Sequence, residues 1–179
     1  MPKSEKILFS TNCQKILSFL IQNPDQEYFD REISKLTGVS RAGTNFSLRD
    51  LAEAGLILRE KRGRMNFYKA PSNNILIKYL KITQNIVSLI PLIEKLQKYS
   101  LRIVLYGSMA KGENTSKSDI DIFIMTRAPD EVEKIMFKDK LRKKIQCVIH
   151  TPNGYVKLKK SNPTFYQEVE KGIVLWEAT

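Results

Sequence analysis

Apolar residues recur at helical spacing from Asn12 to Ile21, at Ile16, Leu17, Leu20 and Ile21, and Pro24-Asp25 ends the run. Asp30 is placed to cap a short helix through Leu36 ahead of Thr37-Gly38, and Ser40 to cap a second one reaching Ala54-Gly55. In that second helix Thr44, Leu48 and Leu51 share an inward face, which leaves Ala42, Asn45, Phe46 and Arg49 outward and Arg41 at its start. The period then shortens. Leu56 to Lys69 reads as two short strands around Gly63, a hairpin whose tip carries Arg59, Lys61, Arg62 and Arg64.

Beyond Pro71, residues Ile75, Tyr79, Ile82, Ile86, Leu89, Ile93 and Leu96 alternate spacings of four and three, with Leu76, Leu80, Val87 and Ile90 beside them. So broad an apolar face predicts a helix with more than one partner, the protein's own domains on one side and a second copy on the other, and Pro91 is expected to kink or split it. The remainder alternates strands and helices: an apolar run from Leu101 to Tyr106, a strand through Ile122 to Met125, a helix from Asp130 to Lys144 and a strand from Lys144 to His150. A helix from Asn162 and a closing strand from Gly172 to Trp176 complete it. The expected organisation is a helical N-terminal domain at 1–71, a connecting helix at 72–98 and an α/β domain at 99–179, an α+β chain overall.

Charge narrows the partners. The 179 residues carry a formal net charge of +11. Both parts are basic: 12 basic against 8 acidic residues in 1–72, and 18 against 11 in the remainder. Such chains meet nucleic acid or another polyanion. Cys13 and Cys147 stand alone in apolar segments, which excludes a disulfide framework and a cysteine metal cluster. The lysine-bearing start has no signal-peptide core, and no stretch reads as long enough to span a membrane, so a cytoplasmic protein without a membrane partner is expected.

The chemistry concentrates at Gly107-Ser108 and Asp119-Ile-Asp121. Two carboxylates one residue apart on a strand face the same way, repel each other, and are best relieved by a divalent cation. Gly107 lets a backbone approach closely, and Ser108 offers an amide and a hydroxyl to a phosphate. These parts suit a metal-bound nucleoside triphosphate, with Lys111 and Lys117 in the intervening loop able to add positive charge.

The run Val104 to Gly112 followed by Ser118-Asp-Ile-Asp-Ile-Phe-Ile124 resembles the minimal nucleotidyltransferases of the DNA polymerase beta superfamily. The resemblance implies a C-terminal polymerase-beta-like α/β domain with a mixed sheet. It also implies magnesium or manganese at Asp119 and Asp121, the outer phosphates held near Gly107, Ser108 and Lys111, and transfer of a nucleoside monophosphate to an acceptor. The acceptor can be a protein, a nucleic-acid end or a small molecule. The resemblance further implies a third acid on the strand before Thr151-Pro152, where the matching position is Gln146, an uncharged residue that cannot take a proton. His150 and Glu113 are the other nearby groups able to do so.

Three helices and a basic hairpin resemble, in turn, the winged helix-turn-helix of bacterial and archaeal transcription regulators. That resemblance implies double-stranded DNA as partner. Arg41, Ala42, Asn45, Phe46 and Arg49 would lie in the major groove, with Lys61, Arg62 and Arg64 on phosphates or in the minor groove. It adds weight to a homodimer on a two-fold site. Such domains also dock proteins. The alternative to an enzyme is a transcription regulator or antitoxin-like protein whose transferase domain binds nucleotide without catalysis.

Overall fold

The computed structural model describes residues 3–178. The chain divides into two compact units, one up to Val87 and one from Ser88 onward.

In the first unit a short helix α1 (Lys3–Leu8) precedes α2 (Asn12–Gln22). A capping box starts α2: Thr11 Oγ1 accepts from the Gln14 amide at 3.2 Å, while the Gln14 side chain accepts from the Thr11 amide at 3.1 Å. Next come β1 (Tyr28–Phe29) and α3 (Asp30–Thr37). Asp30 is the first helical residue rather than the cap. Phe29 stands at the cap, and its amide donates to Glu32 Oε2 at 3.1 Å. Gly38, at φ +70°, ends α3. Helix α4 (Arg41–Glu53) begins where Ser40 Oγ accepts from the Gly43 amide, as expected of that serine. The strands β2 (Leu58–Arg62) and β3 (Met65–Lys69) form the hairpin, and β1 adds to it in an antiparallel sheet of order β1-β3-β2. Ile16, Leu20, Ile33 and Leu48 are sealed from solvent between the helices.

Helix α5 (Ile75–Leu96) runs continuously through Pro91, so of the expected kink or split the split does not occur. Pro91 lies on the exposed side, so its ring meets solvent and the cost is chiefly one missing backbone bond. The inward face also differs from the expected seam. Ile77, Lys81 and Asn85 are buried while Ile75, Leu76 and Tyr79 are exposed; of the seam, Leu89 and Leu96 are buried. The polar contacts explain the phase: Gln84 donates to Ser18, and Gln22 donates to Asn85 Oδ1 at 3.3 Å. Helix α5 therefore meets α2 partly through hydrogen bonds, which a reading of apolar period does not detect. By length and mean hydropathy, 1.3, α5 would also suffice to cross a membrane, which corrects the expectation that no stretch is long enough.

The second unit is built on a four-stranded mixed sheet, order β6-β5-β4-β7, of β4 (Ser100–Tyr106), β5 (Ile120–Thr126), β6 (Ile145–His150) and β7 (Ile173–Glu177). β5 runs antiparallel to β4 and parallel to β6. The parallel pair needs a crossover, which α7 (Pro129–Lys138) supplies. That helix ends at Lys138, short of the expected Lys144, because Asp139 is extended and its carboxylate accepts from the Leu141 amide at 3.0 Å, closing a turn. A five-residue helix, α6 (Gly107–Lys111), follows β4 directly. Helix α8 (Pro152–Ser161) was not expected; Gly154 and its lysines dilute the apolar period, yet Thr151 caps it by accepting from the Gly154 amide. Helix α9 (Pro163–Glu170) starts at Asn162, which accepts from the Phe165 amide. Together α8 and α9 cover the sheet face bearing Val104, Tyr106 and Phe123.

Candidate functional site

Pairing register places three side chains in one row across the sheet. Tyr106 of β4 stands opposite Asp121 of β5, which stands opposite Gln146 of β6. Asp119 precedes β5 by one residue, and the Gln146 side-chain amide donates to its Oδ2 at 2.7 Å. The residue expected at the third acid position is thus beside the carboxylate pair and hydrogen-bonded to one member of it.

Gly107 closes the other side. Its φ is +66°, a conformation that L side chains rarely adopt, and an added Cβ would overlap Asp121 Oδ2 and stand 2.9 Å from its Cγ. Burial, then the charges of Asp119 and Glu168, raises the Asp121 carboxyl above its ordinary value. The same neighbourhood acts on Tyr106, whose hydroxyl is pushed up to about 12 by burial first and by Asp121 and Glu168 next. The site therefore resists negative charge, which is what a cation would relieve. Asp119 and Asp121 are the carboxylates that such a cation would meet. Among the described residues there is no group of three or more acidic, histidine or cysteine side chains able to hold a metal.

A cleft of about 280 Å³ opens between α6 and α9, lined in part by Tyr106, Gly107, Lys111, Thr164, Glu168 and Lys171. It brings Lys111 together with Gly107 and adds Thr164, Glu168 and Lys171, which sequence reasoning did not single out. No local motif marks those three; they reach the cleft because α9 packs beside β4. Ser108 sits half-buried in α6, and Lys117 lies exposed in the loop before Asp119. His150 pairs with Met125, well along the strands from Asp121, and its ring stacks on Phe123 with centroids 5.9 Å apart. That placement makes it a packing residue. Glu113 is exposed and its amide donates to the Ser108 carbonyl at the end of α6.

In the first unit, Arg41, Ala42, Asn45, Phe46 and Arg49 all lie on the exposed face of α4, while Thr44, Ser47, Leu48 and Leu51 are buried. A second cleft, about 400 Å³, gathers Arg41 and Asn45 with Arg64 of the hairpin and Arg31 of α3. Arg31 was not anticipated, since its helix is not the outward-facing one. Phe46 is 61% exposed, with the Arg49 guanidinium 5.3 Å from its ring centre. Arg49 also lies 3.6 Å from Asp50 and 3.9 Å from Glu53. Lys61 is exposed on the hairpin. Arg62 is held differently: it pairs with Glu27 at 2.8 Å and with Glu60 at 2.7 Å, above the Phe67 ring. Glu60, and Glu27 which it shares with Lys69, compensate its charge, so the hairpin presents Arg59, Lys61 and Arg64 as its outward cations.

The family model of polymerase beta nucleotidyltransferases matches residues 89–179. A comparison with curated proteins finds no match. Among solved structures, that of the archaeal chromatin protein TrmBL2, described as showing a novel mode of DNA binding, aligns at 19% identity. The alignment covers 87% of this chain and 70% of that one, with a TM-score of 0.32.

Proposed function

The chain belongs to the polymerase beta nucleotidyltransferase family, and from that premise we propose that its second unit binds a nucleoside triphosphate with a divalent cation and transfers the nucleoside monophosphate to an acceptor. The observation that carries this reading is the carboxylate pair of Asp119 and Asp121 beside Gly107, where a side chain on residue 107 would collide with Asp121. Asp119 and Asp121 would hold magnesium or manganese. Once bound, such a cation neutralises phosphate charge and makes the α-phosphorus more electrophilic. Lys111 and Lys171 flank the adjoining cleft and supply charge to the outer phosphates. In the reaction an acceptor hydroxyl oxygen bonds to the α-phosphorus and the bond from that phosphorus to the bridging oxygen breaks. Pyrophosphate leaves with the electron pair, and the hydroxyl proton passes to solvent.

Incubation with α-labelled triphosphates, magnesium or manganese and a cell extract tests the assignment. Wild type is expected to label an acceptor, and the Asp119→Asn, Asp121→Asn variant to lose at least 99% of that labelling. Equal labelling by the variant would remove the site.

The first unit is proposed to be a winged helix-turn-helix that binds double-stranded DNA. Support comes from the α4 face, the order of its three-stranded sheet and the cleft uniting Arg41, Asn45 and Arg64. A second copy packed on the exposed Ile75, Leu76 and Tyr79 of α5 would pair two such units on a two-fold site. In a binding titration, Lys61→Ala with Arg64→Ala is expected to lower the log–log salt slope on duplex DNA by about 1.8. Arg62→Ala is expected to leave that slope unchanged, because Glu27 and Glu60 already neutralise the guanidinium. A fall of about 0.9 with Arg62→Ala would instead make it a phosphate contact.

One observation favours the second reading, a nucleotide-binding regulator or antitoxin-like protein without transfer. Gln146 occupies the third position and ties down Asp119. Binding of triphosphate with no labelling under either metal would support that reading over transfer.

A further inference from the structure

The turn from α7 to β6 carries a concentration of charge that the nucleotide site does not use. Lys138, Lys140, Arg142, Lys143 and Lys144 are all exposed. The single acid among them, Asp139, points inward: its side chain is 9% exposed and pairs with Lys95 at 2.9 Å. That carboxylate shapes the turn and acts on Lys95 and Lys140, while Lys138, Arg142, Lys143 and Lys144 face solvent. Beside them Phe137 is 70% exposed, with the Arg142 guanidinium 4.7 Å from its ring centre. Phe137, Arg142 and Lys143 line a groove of about 490 Å³ with Ile145, Cys147 and Ile149 along the edge strand β6. Glu133 on α7 is the acidic side chain in that groove.

An aromatic face flanked by cations is how a sequence-tolerant surface holds single-stranded nucleic acid: bases stack on the ring and phosphates meet the lysines. The turn also leads to the site. The Lys144 carbonyl accepts from the amide of Ile120, the neighbour of Asp119, and Lys144 precedes Gln146 by two residues.

We infer that this turn, with Phe137, is a docking surface for a single-stranded nucleic acid, and that the end of such a strand is the acceptor. The first part stands on the surface alone; the second rests on the transfer reading above. In the transfer, the terminal hydroxyl oxygen of the strand bonds to the α-phosphorus, pyrophosphate leaves with the electron pair, and the proton passes to solvent.

Anisotropy titration of the full chain with a labelled twelve-nucleotide oligothymidylate and with a duplex separates the surface from the first unit. Phe137→Ala is expected to weaken single-strand binding about fivefold to a hundredfold. Lys143→Ala with Lys144→Ala is expected to lower the single-strand salt slope by about 1.4. Duplex binding and Tm are expected to stay at wild-type values in both variants. Unchanged single-strand binding, or an equal loss on the duplex or on polyglutamate, would overturn the surface. The acceptor is tested with the same oligonucleotide carrying a free or a blocked 3′ end and an α-labelled triphosphate. Label confined to the free end supports it. Label appearing only on another acceptor overturns the assignment while transfer stands. Label on nothing overturns transfer and with it the acceptor, and leaves the binding result to decide the surface.

Discussion

Gly107→Ala is expected to destabilise the second unit by roughly 2–5 kcal/mol and to abolish cation-dependent binding of nucleoside triphosphate. Two separate costs combine at this residue. The backbone sits at φ +66°, where any Cβ is strained, and the new methyl group would occupy the space of the Asp121 carboxylate. Asp121 lies in the middle of a row, with Tyr106 on one strand and Gln146 on the other, so its side chain has little lateral room. It must rotate out of line or push β5 away from α6. Thermal unfolding checks the first effect, with a fall in Tm on the order of 10 °C or more, and titration calorimetry with manganese and a triphosphate checks the second. The double variant Gly107→Ala, Asp121→Ala separates the costs. Removing the carboxylate relieves the overlap, so part of the lost stability is expected to return, while binding stays absent. If Gly107→Ala retains wild-type Tm and binding, the packing of Gly107 against Asp121 has no role in the site.

The same row shows what the amino-acid order made legible and what it did not. Gly107-Ser108, the carboxylate pair and the strands on either side of them are local patterns, and each was readable because its meaning lies within a few residues. Gln146 could be assigned as third in the set because the family resemblance implies an acid on that strand and Gln146 is the matching position. Its hydrogen bond to Asp119 could not be anticipated, since that depends on pairing register between segments 27 residues apart. Glu168 and Lys171 were invisible for a related reason: α9 brings them to the cleft through tertiary packing, and nothing in their neighbourhood distinguishes them from solvated charges. Helix α5 shows the opposite failure. Its apolar period was strong, yet buried Lys81 and Asn85 and the contact of Gln84 with Ser18 turned a different face inward. A polar residue that finds a buried partner outweighs the apolar count, and partners are a property of the fold. Arg62 follows the same rule, because Glu27 lies far from it in sequence and next to it in space.

Gln146→Glu is expected to raise nucleotide transfer by about a hundredfold or more, the scale on which a positioned general base acts. Glutamate is nearly isosteric with glutamine, so the new carboxylate oxygen would take the place of the amide nitrogen now 2.7 Å from Asp119. The replacement changes a donor into an acceptor and adds a third negative charge to a site that already raises the Asp121 carboxyl. The added charge opposes ionisation of Asp121 further when no cation is bound. The metal-free variant should therefore be less stable than wild type at neutral pH. Because the site raises the folded-state Asp121 carboxyl, the folded form holds more protons, and stability is lost as pH rises and returns on acidification. Manganese should restore it as well, and calorimetry should show tighter cation binding than in wild type. Transfer then separates the two functional readings. If Gln146→Glu binds manganese more tightly and labels an acceptor faster, the missing carboxylate is what restrains an otherwise complete transferase. If tighter cation binding brings no transfer, the domain has become a nucleotide-binding element, and restoring one acid does not rebuild a catalytic site.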